Sequence, residues 1–450
     1  MTEVRWTTRP YDGYSIRKPL EPDPVFAAVG PNTPAGEYLR RFWHPVAMSE
    51  QLDAGFPVAI EILGESLVVF RDLSARVGLL HKHCAHRRAS LEYGRIEQTG
   101  IRCCYHGWHF DVDGTILETP GEPPDSSIRH KICHGAYPTV EFEGLVFAYM
   151  GPPELMPDFP ILDSLNIKNH ELVPYSIYSP CNWLQETENA IDPFHSVFLH
   201  GRISGAQFPG LEHFADLPVV EYRFRYGGIV YCHARRTGDL IRLRFHDYLF
   251  PNCAQNGGMF QVMDSPKAFG RTSLTKWVTP VNDTASRKFG WRHFNDSDEV
   301  LRQGDRSEVG WEKVDFYGQT GHRSYKERQS NPGDWEAWTS QGAMNIHKRE
   351  YLGVTDKGVA MLRARLKRDI KAVNDGKPIE MLTATKSKPI STFGGDTVLR
   401  IPKTETDDEK FLSTLIDSMM DIHLKAVNCD ENGRHLTIQH EILQRFPDSL

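Results

Sequence analysis

Two short patterns gather side chains that could hold metal. In the first, Cys84-Ala85-His86 is followed after sixteen residues by Cys103-Cys104-Tyr105-His106. Each half supplies one thiol and one imidazole. That division suits a [2Fe-2S] cluster in which two Cys hold one iron and two His hold the other. A Cys2His2 zinc site would accept the same residue types, but zinc fingers usually place both Cys in one half and both His in the other. In the second pattern, Asp192, His195 and His200 form a DxxHxxxxH run within ENAIDPFHSVFLHG. A mononuclear Fe(II) site that activates oxygen needs two His and one carboxylate on one side of the metal, with other positions open. The two His stand five positions apart, roughly 140° around a regular helix. They can share an ion only if the helix is widened or broken between them, as a π-bulge would do. Alone this second pattern is weak, because a His on a half-buried helix is more often a hydrogen-bonded core residue.

The stretch CAHRRASLEYGRIEQTGIRCCYHGWHFDVDG resembles the Rieske signature of the non-haem iron ring-hydroxylating oxygenases. By that resemblance the cluster ligands are Cys84, His86, Cys103 and His106. Cys104 falls where many relatives have Pro and is expected behind the cluster, not on it. Ala85 and Arg88 depart from the commoner Pro and Gly. The resemblance makes His195 and His200 iron ligands. NPGDWEAWTSQGAMNIHKREYLGVTDKG resembles the family's downstream carboxylate motif, which assigns Asp334 as third ligand with Glu336 as the fallback. Asp334 also reads as a helix N-cap. Asn182, in NWLQ, matches a position near the iron in relatives. Asp192 is implied to be a bridge between His195 and His106 of a neighbouring subunit, since each metal-bound imidazole has a ring N–H to spare.

PGEPPDSSIRHKICHGAYPTVEFEGLVFAYMGPP looks closest to the phthalate-dioxygenase-like and aryl-ether-demethylating branch. The resemblance then implies a terminal oxygenase that uses O2 to hydroxylate an aromatic substrate, in a homotrimer or hexamer; that the substrate is acidic is a separate expectation, from the strand pattern of LIRLRFHDYLF. O- or N-demethylation by the same iron chemistry is the alternative. A Rieske electron carrier without oxygen chemistry is the competing class. With no GxGxxG or flavin motif here, electrons from NAD(P)H must come through a separate reductase, with or without a ferredoxin.

These residues need a frame. Short β-rich runs broken by Gly, Asp and Pro extend from PVAIEILGESLVVF to TVEFEGLVFAYMGPP and predict a small all-β domain. GPPELMPDFPILD suits a boundary. The expected organisation is an N-terminal arm over 1–37, a Rieske domain over 38–155, an iron-binding catalytic domain over 156–380 and a C-terminal extension over 381–450. The fold class is therefore α+β, with an all-β cluster domain beside a larger mixed domain whose antiparallel sheet is flanked by helices. In that larger domain, residues 182–201 read as helical, and strands follow in VVEYRFRYG, IVYCHARR, LIRLRFHDYLF and SLTKWVTPV. Val359, Leu362, Leu366, Ile370 and Val373 recur at helical spacing over 356–376, and Phe411, Leu415, Met419 and Ile422 do so over 408–427. Alternation in LIRLRFHDYLF puts Arg242, Arg244 and His246 on one face. If that face lines the cavity it would receive a substrate carboxylate or sulfonate. A solvated sheet face or a subunit interface is the commoner fate of such a pattern.

Composition bounds the rest. A chain of 450 residues exceeds one ordinary core, and 40% apolar with 25% charged residues is a globular composition. The formal charge of -7 speaks against a nucleic-acid partner. No run approaches the roughly eighteen apolar residues of a membrane span. The eight Cys are scattered apart from the first cluster, and MTEVRWTTRPYDGYSIRK has no export signal. Both features predict a cytoplasmic protein whose Cys cluster binds metal rather than forming disulfides.

Overall fold

The computed structural model describes residues 20–165, 167, 170–204, 216–258, 265–295, 304–382, 389–404, 407–426, 429 and 431–450. Most of the expected N-terminal arm, residues 1–19, lies outside that set. Between residues 43 and 149 the chain builds three small antiparallel sheets. Trp43–Met48 pairs with Leu145–Tyr149, which pairs with Thr139–Phe142. A second sheet runs Val58–Ile62, Glu65–Arg71, Val77–His81 and Ala136–Tyr137. The third joins Arg95–Ile96, Ile101–Arg102, His109–Phe110 and Ile116–Glu118. Val68, Phe70, Leu80, Leu91, Ile101, Trp108 and Phe110 form one buried cluster that also takes in Cys84 and Cys103. The thiols are thus anchored in a packed core while the loops that carry them reach the surface.

The larger part is a nine-stranded sheet. Its central order is His170–Ser179, Ala285–Asn295, Leu274–Asn282, Cys253–Asn256, Leu240–Leu249, Gly228–Thr237 and Val219–Arg225. Gly395–Arg400 adds to the free half of Leu240–Leu249 and carries Lys267–Arg271 on its far edge. One face packs on the helices Trp183–Asn189 and Lys357–Asn374. Ile241, Leu243 and Phe245 on the other face pack on Asp408–Lys425, with Ile438 and Ile442 of Glu431–Arg445 in the same cluster. Both faces are therefore covered. Arg242 is 9% exposed, so its row is no solvated surface.

The five apolar positions expected on the first long helix are all buried in Lys357–Asn374, each contributing roughly 1–3 kcal/mol. Leu415, Met419 and Ile422 are buried in Asp408–Lys425, with Phe411 partly so. Two strands carried no clear alternation: His170–Ser179 contains Pro174, and Ala285–Asn295 buries Lys288 and Arg292. Those cations are tolerated inside because Lys288 pairs with Glu186 at 2.6 Å and Arg292 with Asp315 at 2.8 Å. A pattern of apolar residues could not have revealed them.

The helix expected over 182–201 is broken. Trp183–Asn189 is regular and ends before Asp192-Pro193. Pro193 has no N–H to donate and pushes the residue before it out of the helical region. The chain then resumes as the π-wound segment Ser196–Ser204.

Candidate functional site

The Cys84 and Cys103 loops close in the same way. Arg88 N donates to Cys84 O at 2.9 Å and Gly107 N donates to Cys103 O at 3.1 Å. Both turns need a left-handed residue, with Gly107 at φ 74° and Arg88 at φ 63°. Gly adopts that conformation freely, whereas Arg does so against its Cβ. The two thiols are buried. The His86 and His106 rings lie 4.6 Å apart, and His86 stacks on Trp108 at 4.8 Å. Burial, with Cys103 alongside, pushes the Cys84 thiol up to about 11. His86 Nδ1 is buried without a hydrogen-bond partner. Thiols facing each other in an apolar core and an orphaned ring nitrogen beside them are what a cluster of two irons would satisfy. Cys104 is exposed.

The second pattern converges as well. His195 Nε2 lies 3.5 Å and His200 Nε2 3.3 Å from Asp334 Oδ1, and all three donor atoms fall within 4.8 Å of one another. Such spacings suit one ion shared by three ligands, two imidazoles and one hard oxygen. The π-winding supplies the physical reason. With hydrogen bonds running i to i+5, residues five apart stack on one face.

Asp334 is the first residue of the helix Asp334–Thr339, not its cap. Gly333 precedes it because a Cβ there would sit 2.3 Å from Gly318 Cα, and this close approach brings Gln319 against Asp334. Gln319 Nε2 donates to Asp334 Oδ2 at 2.6 Å, and Asn189 Nδ2 donates to Oδ1 at 3.2 Å. Glu336 turns away: it accepts from Gly333 N at 2.8 Å and pairs with Arg323. Burial alone would raise the Asp334 carboxyl, yet His200, His195 and Gln319 hold it well below the usual carboxylate range. Asp192 Oδ1 accepts from Phe194 N at 2.8 Å, and its Oδ2 stands 3.6 Å from His195 Nδ1.

The triad opens into a cavity of about 90 Å³. Its sheet side is one row across four strands, Tyr231, His246, Asn256 and Leu274, which are successive register partners. His233, Arg244, Lys276, Phe316, Gln319 and Asn189 complete much of the lining. His246 stacks on Tyr231 at 4.5 Å and meets His233, Nε2 to Nε2, at 3.2 Å. Arg235 donates to His233 Nδ1 at 2.9 Å. Burial and the neighbouring cations hold both imidazoles well below their ordinary range, so both are neutral. Arg244 lines the cavity with its charge met by Asp396 at 2.9 Å. Arg242 does not line it.

Two expected site residues thus fall elsewhere. Besides Arg242, Asn182 caps Trp183–Asn189, with its Oδ1 accepting from Leu184 N at 3.2 Å. Its amide donates to Ala27 O at 3.0 Å and Asp283 O at 2.7 Å, outside the cavity. Asn189, one helix length on, is the amide that reaches the triad. Gln319, Lys276, His233 and Tyr231 carried no sequence signal, since each stands in an ordinary strand or loop context. Among the described residues no helix is long and apolar enough to cross a membrane.

Comparison with known proteins agrees with this geometry. Residues 42–139 match the model of the Rieske [2Fe-2S] domain. The chain is 40% identical over 421 residues, 89% of its length and 88% of the relative's, to the tert-butanol monooxygenase / tert-amyl alcohol desaturase oxygenase subunit of Aquincola tertiaricarbonis. It is 38% identical over 373 residues, 80% of its length and 87% of the relative's, to phenoxybenzoate dioxygenase subunit alpha of Ectopseudomonas oleovorans. The fold is similar to that of dicamba monooxygenase bound to dicamba, with a TM-score of 0.57 at 18% identity, covering 75% of this chain and 99% of that one. With its paired Cys/His loops, its buried two-histidine, one-carboxylate site and these relatives, the chain belongs to the Rieske non-haem iron oxygenases as a terminal oxygenase subunit that uses a [2Fe-2S] cluster, a mononuclear iron and O2.

Proposed function

We propose that this subunit inserts oxygen into a small aromatic molecule seated in the cavity between Asp334 and the row Tyr231, His246, Asn256 and Leu274. The observation that carries the reading is the meeting of His195 Nε2, His200 Nε2 and Asp334 Oδ1 in the lining of that cavity. In this reading Cys84, His86, Cys103 and His106 hold the cluster, and His195, His200 and Asp334 hold Fe(II). When bound, the two centres supply electrons one at a time and activate O2. Gln319 and Asn189 orient the carboxylate. Tyr231, Leu274 and Phe316 give the cavity apolar walls against which a ring would pack. Ring hydroxylation is the primary reading and removal of an O- or N-methyl group the second, because substrate pose alone selects which bond lies nearest the iron.

Among the described residues no hydrogen bond or ion pair joins the two cluster loops to Asp192 or His195 of the same chain. Asp192 is also partly open to solvent, its side chain 30% exposed. Both facts support a head-to-tail trimer, alone or doubled, in which Asp192 bridges to the cluster of the next subunit. Electrons reach the cluster from NAD(P)H through a separate reductase.

Turnover with a surrogate reductase, scored for hydroxylated ring product and for released formaldehyde, tests the reaction. Phenolic product without formaldehyde is expected. Turnover confined to tertiary aliphatic alcohols would overturn the aromatic reading. Co-expressing His106→Ala with His195→Ala subunits tests the route. Mixed trimers should regain part of the activity that each parent lacks, and inactive mixed trimers would put transfer within one chain.

A further inference from the structure

Lys276 is the anomaly of the cavity. It sits on Leu274–Asn282 with Leu274, two residues away, facing the same side of the sheet, and both line the site. It is 9% exposed, yet among the described residues no carboxylate lies within 4 Å of its ammonium and no acceptor takes its protons. Every other cation near it is accounted for. Lys288 on the adjacent strand pairs with Glu186 at 2.6 Å and lies over the Trp338 ring at 4.4 Å. Arg292 pairs with Asp315 at 2.8 Å, and Arg244 with Asp396 at 2.9 Å. His233 and His246 are neutral. Buried charges are ordinarily paired, because leaving water without a partner is costly.

We propose that Lys276 is a specificity-determining residue whose counter-ion is the carboxylate of the substrate. This deepens the oxygenase reading above and rests on it. Burial and the neighbouring Lys288 push the Lys276 ammonium down to about 8, and Asp334 and Glu186 attract it only through space, without a contact. A carboxylate entering the cavity removes the cost of the bare ammonium. It also pins one end of the ring against the sheet, leaving the other end toward the two histidines. The charge-binding role expected for Arg242, Arg244 and His246 passes to a residue two strands away from theirs.

The test is isothermal titration calorimetry on the iron-loaded holoenzyme, using benzoate, phthalate and 3-phenoxybenzoate, each against its uncharged amide. Wild-type protein should bind at least one acid more tightly than its amide. Lys276→Met should weaken that acid by roughly 30-fold or more while the amide changes by less than about threefold. Lys276→Gln should read the same contrast should the Met variant fold poorly, with cluster absorbance and thermal midpoint as folding controls. Wild-type protein that prefers no acid over its amide overturns the assignment, as does a variant in which acid and amide weaken equally. Either failure leaves the oxygenase reading standing if product still forms from any aromatic. Loss of that reading would instead show as absent turnover with the acid preference intact.

Discussion

Gln319 Nε2 donates to Asp334 Oδ2 at 2.6 Å, while Asp334 Oδ1 alone faces His195 and His200. Oδ2 is held by Gln319, while Oδ1, which also accepts from Asn189 at 3.2 Å, is the oxygen turned to the two histidines. Behind Gln319, Lys288 Nζ donates to its Oε1 at 3.4 Å and is itself held by Glu186. The proposed ligand Asp334 is oriented by a buried chain of side chains that reaches back into the sheet.

Replacing Gln319 by Leu should therefore loosen mononuclear iron roughly 10- to 100-fold, the usual cost of losing such an outer partner. The cluster absorbance, set by loops elsewhere, should not change. Metal analysis after graded chelation checks both halves, and iron retained as in wild type would show that Gln319 is only packing.

Asp334→Ala should abolish retention of the mononuclear iron and all product formation. Total iron should fall from about three to about two per chain, the two being those of the cluster. An unchanged iron content would move the third ligand elsewhere, and Glu336, tied to Arg323 and Gly333 N, would be an unsuitable substitute.

Arg88 holds φ 63° in the turn after Cys84 and His86. Val in its place, with a branched Cβ, should destabilise the cluster loop by about 1–2 kcal/mol. Gly should stay within about 0.5 kcal/mol of wild type, because relief at this φ is offset by the greater freedom of the unfolded chain. Thermal loss of cluster absorbance ranks the three proteins, and a Val variant as stable as Gly would remove the argument.

Arg292 and Asp315 form a pair 2.8 Å apart with side chains at most 1% exposed. Arg292→Met leaves Asp315 buried and unpaired and should cost about 3–5 kcal/mol in denaturant unfolding. Replacing both by apolar residues should recover most of that loss. A double variant no more stable than the single would mean that the guanidinium matters for packing, not charge.

The residues proposed for the metal chemistry could be named one by one from the sequence. CxH with CxxH specifies a mixed thiolate and imidazole pair because no common structural role calls for that division. The apolar period over 356–376 specified a helix because each position on it loses water on packing. Even the need for a wider winding between His195 and His200 followed from their spacing, since five residues cannot share a face at 3.6 per turn. What the chain alone could not show is which polar residues meet once distant strands and loops are brought together. Asn182 and Asn189 are the same residue type at the two ends of one short helix, and only the packing of Asp334–Thr339 against the second end decides which amide reaches the carboxylate. Arg242 and Arg244 share a strand face, yet the cavity stops between them. Gln319 and Lys276 owe their place to a contact between the Gly318 and Gly333 backbones and to the register of one sheet. Local pattern decides what each segment becomes, because its own side chains set which surface it must bury. The surroundings of a buried polar group are set by segments far away in sequence, and so belong to the tertiary structure.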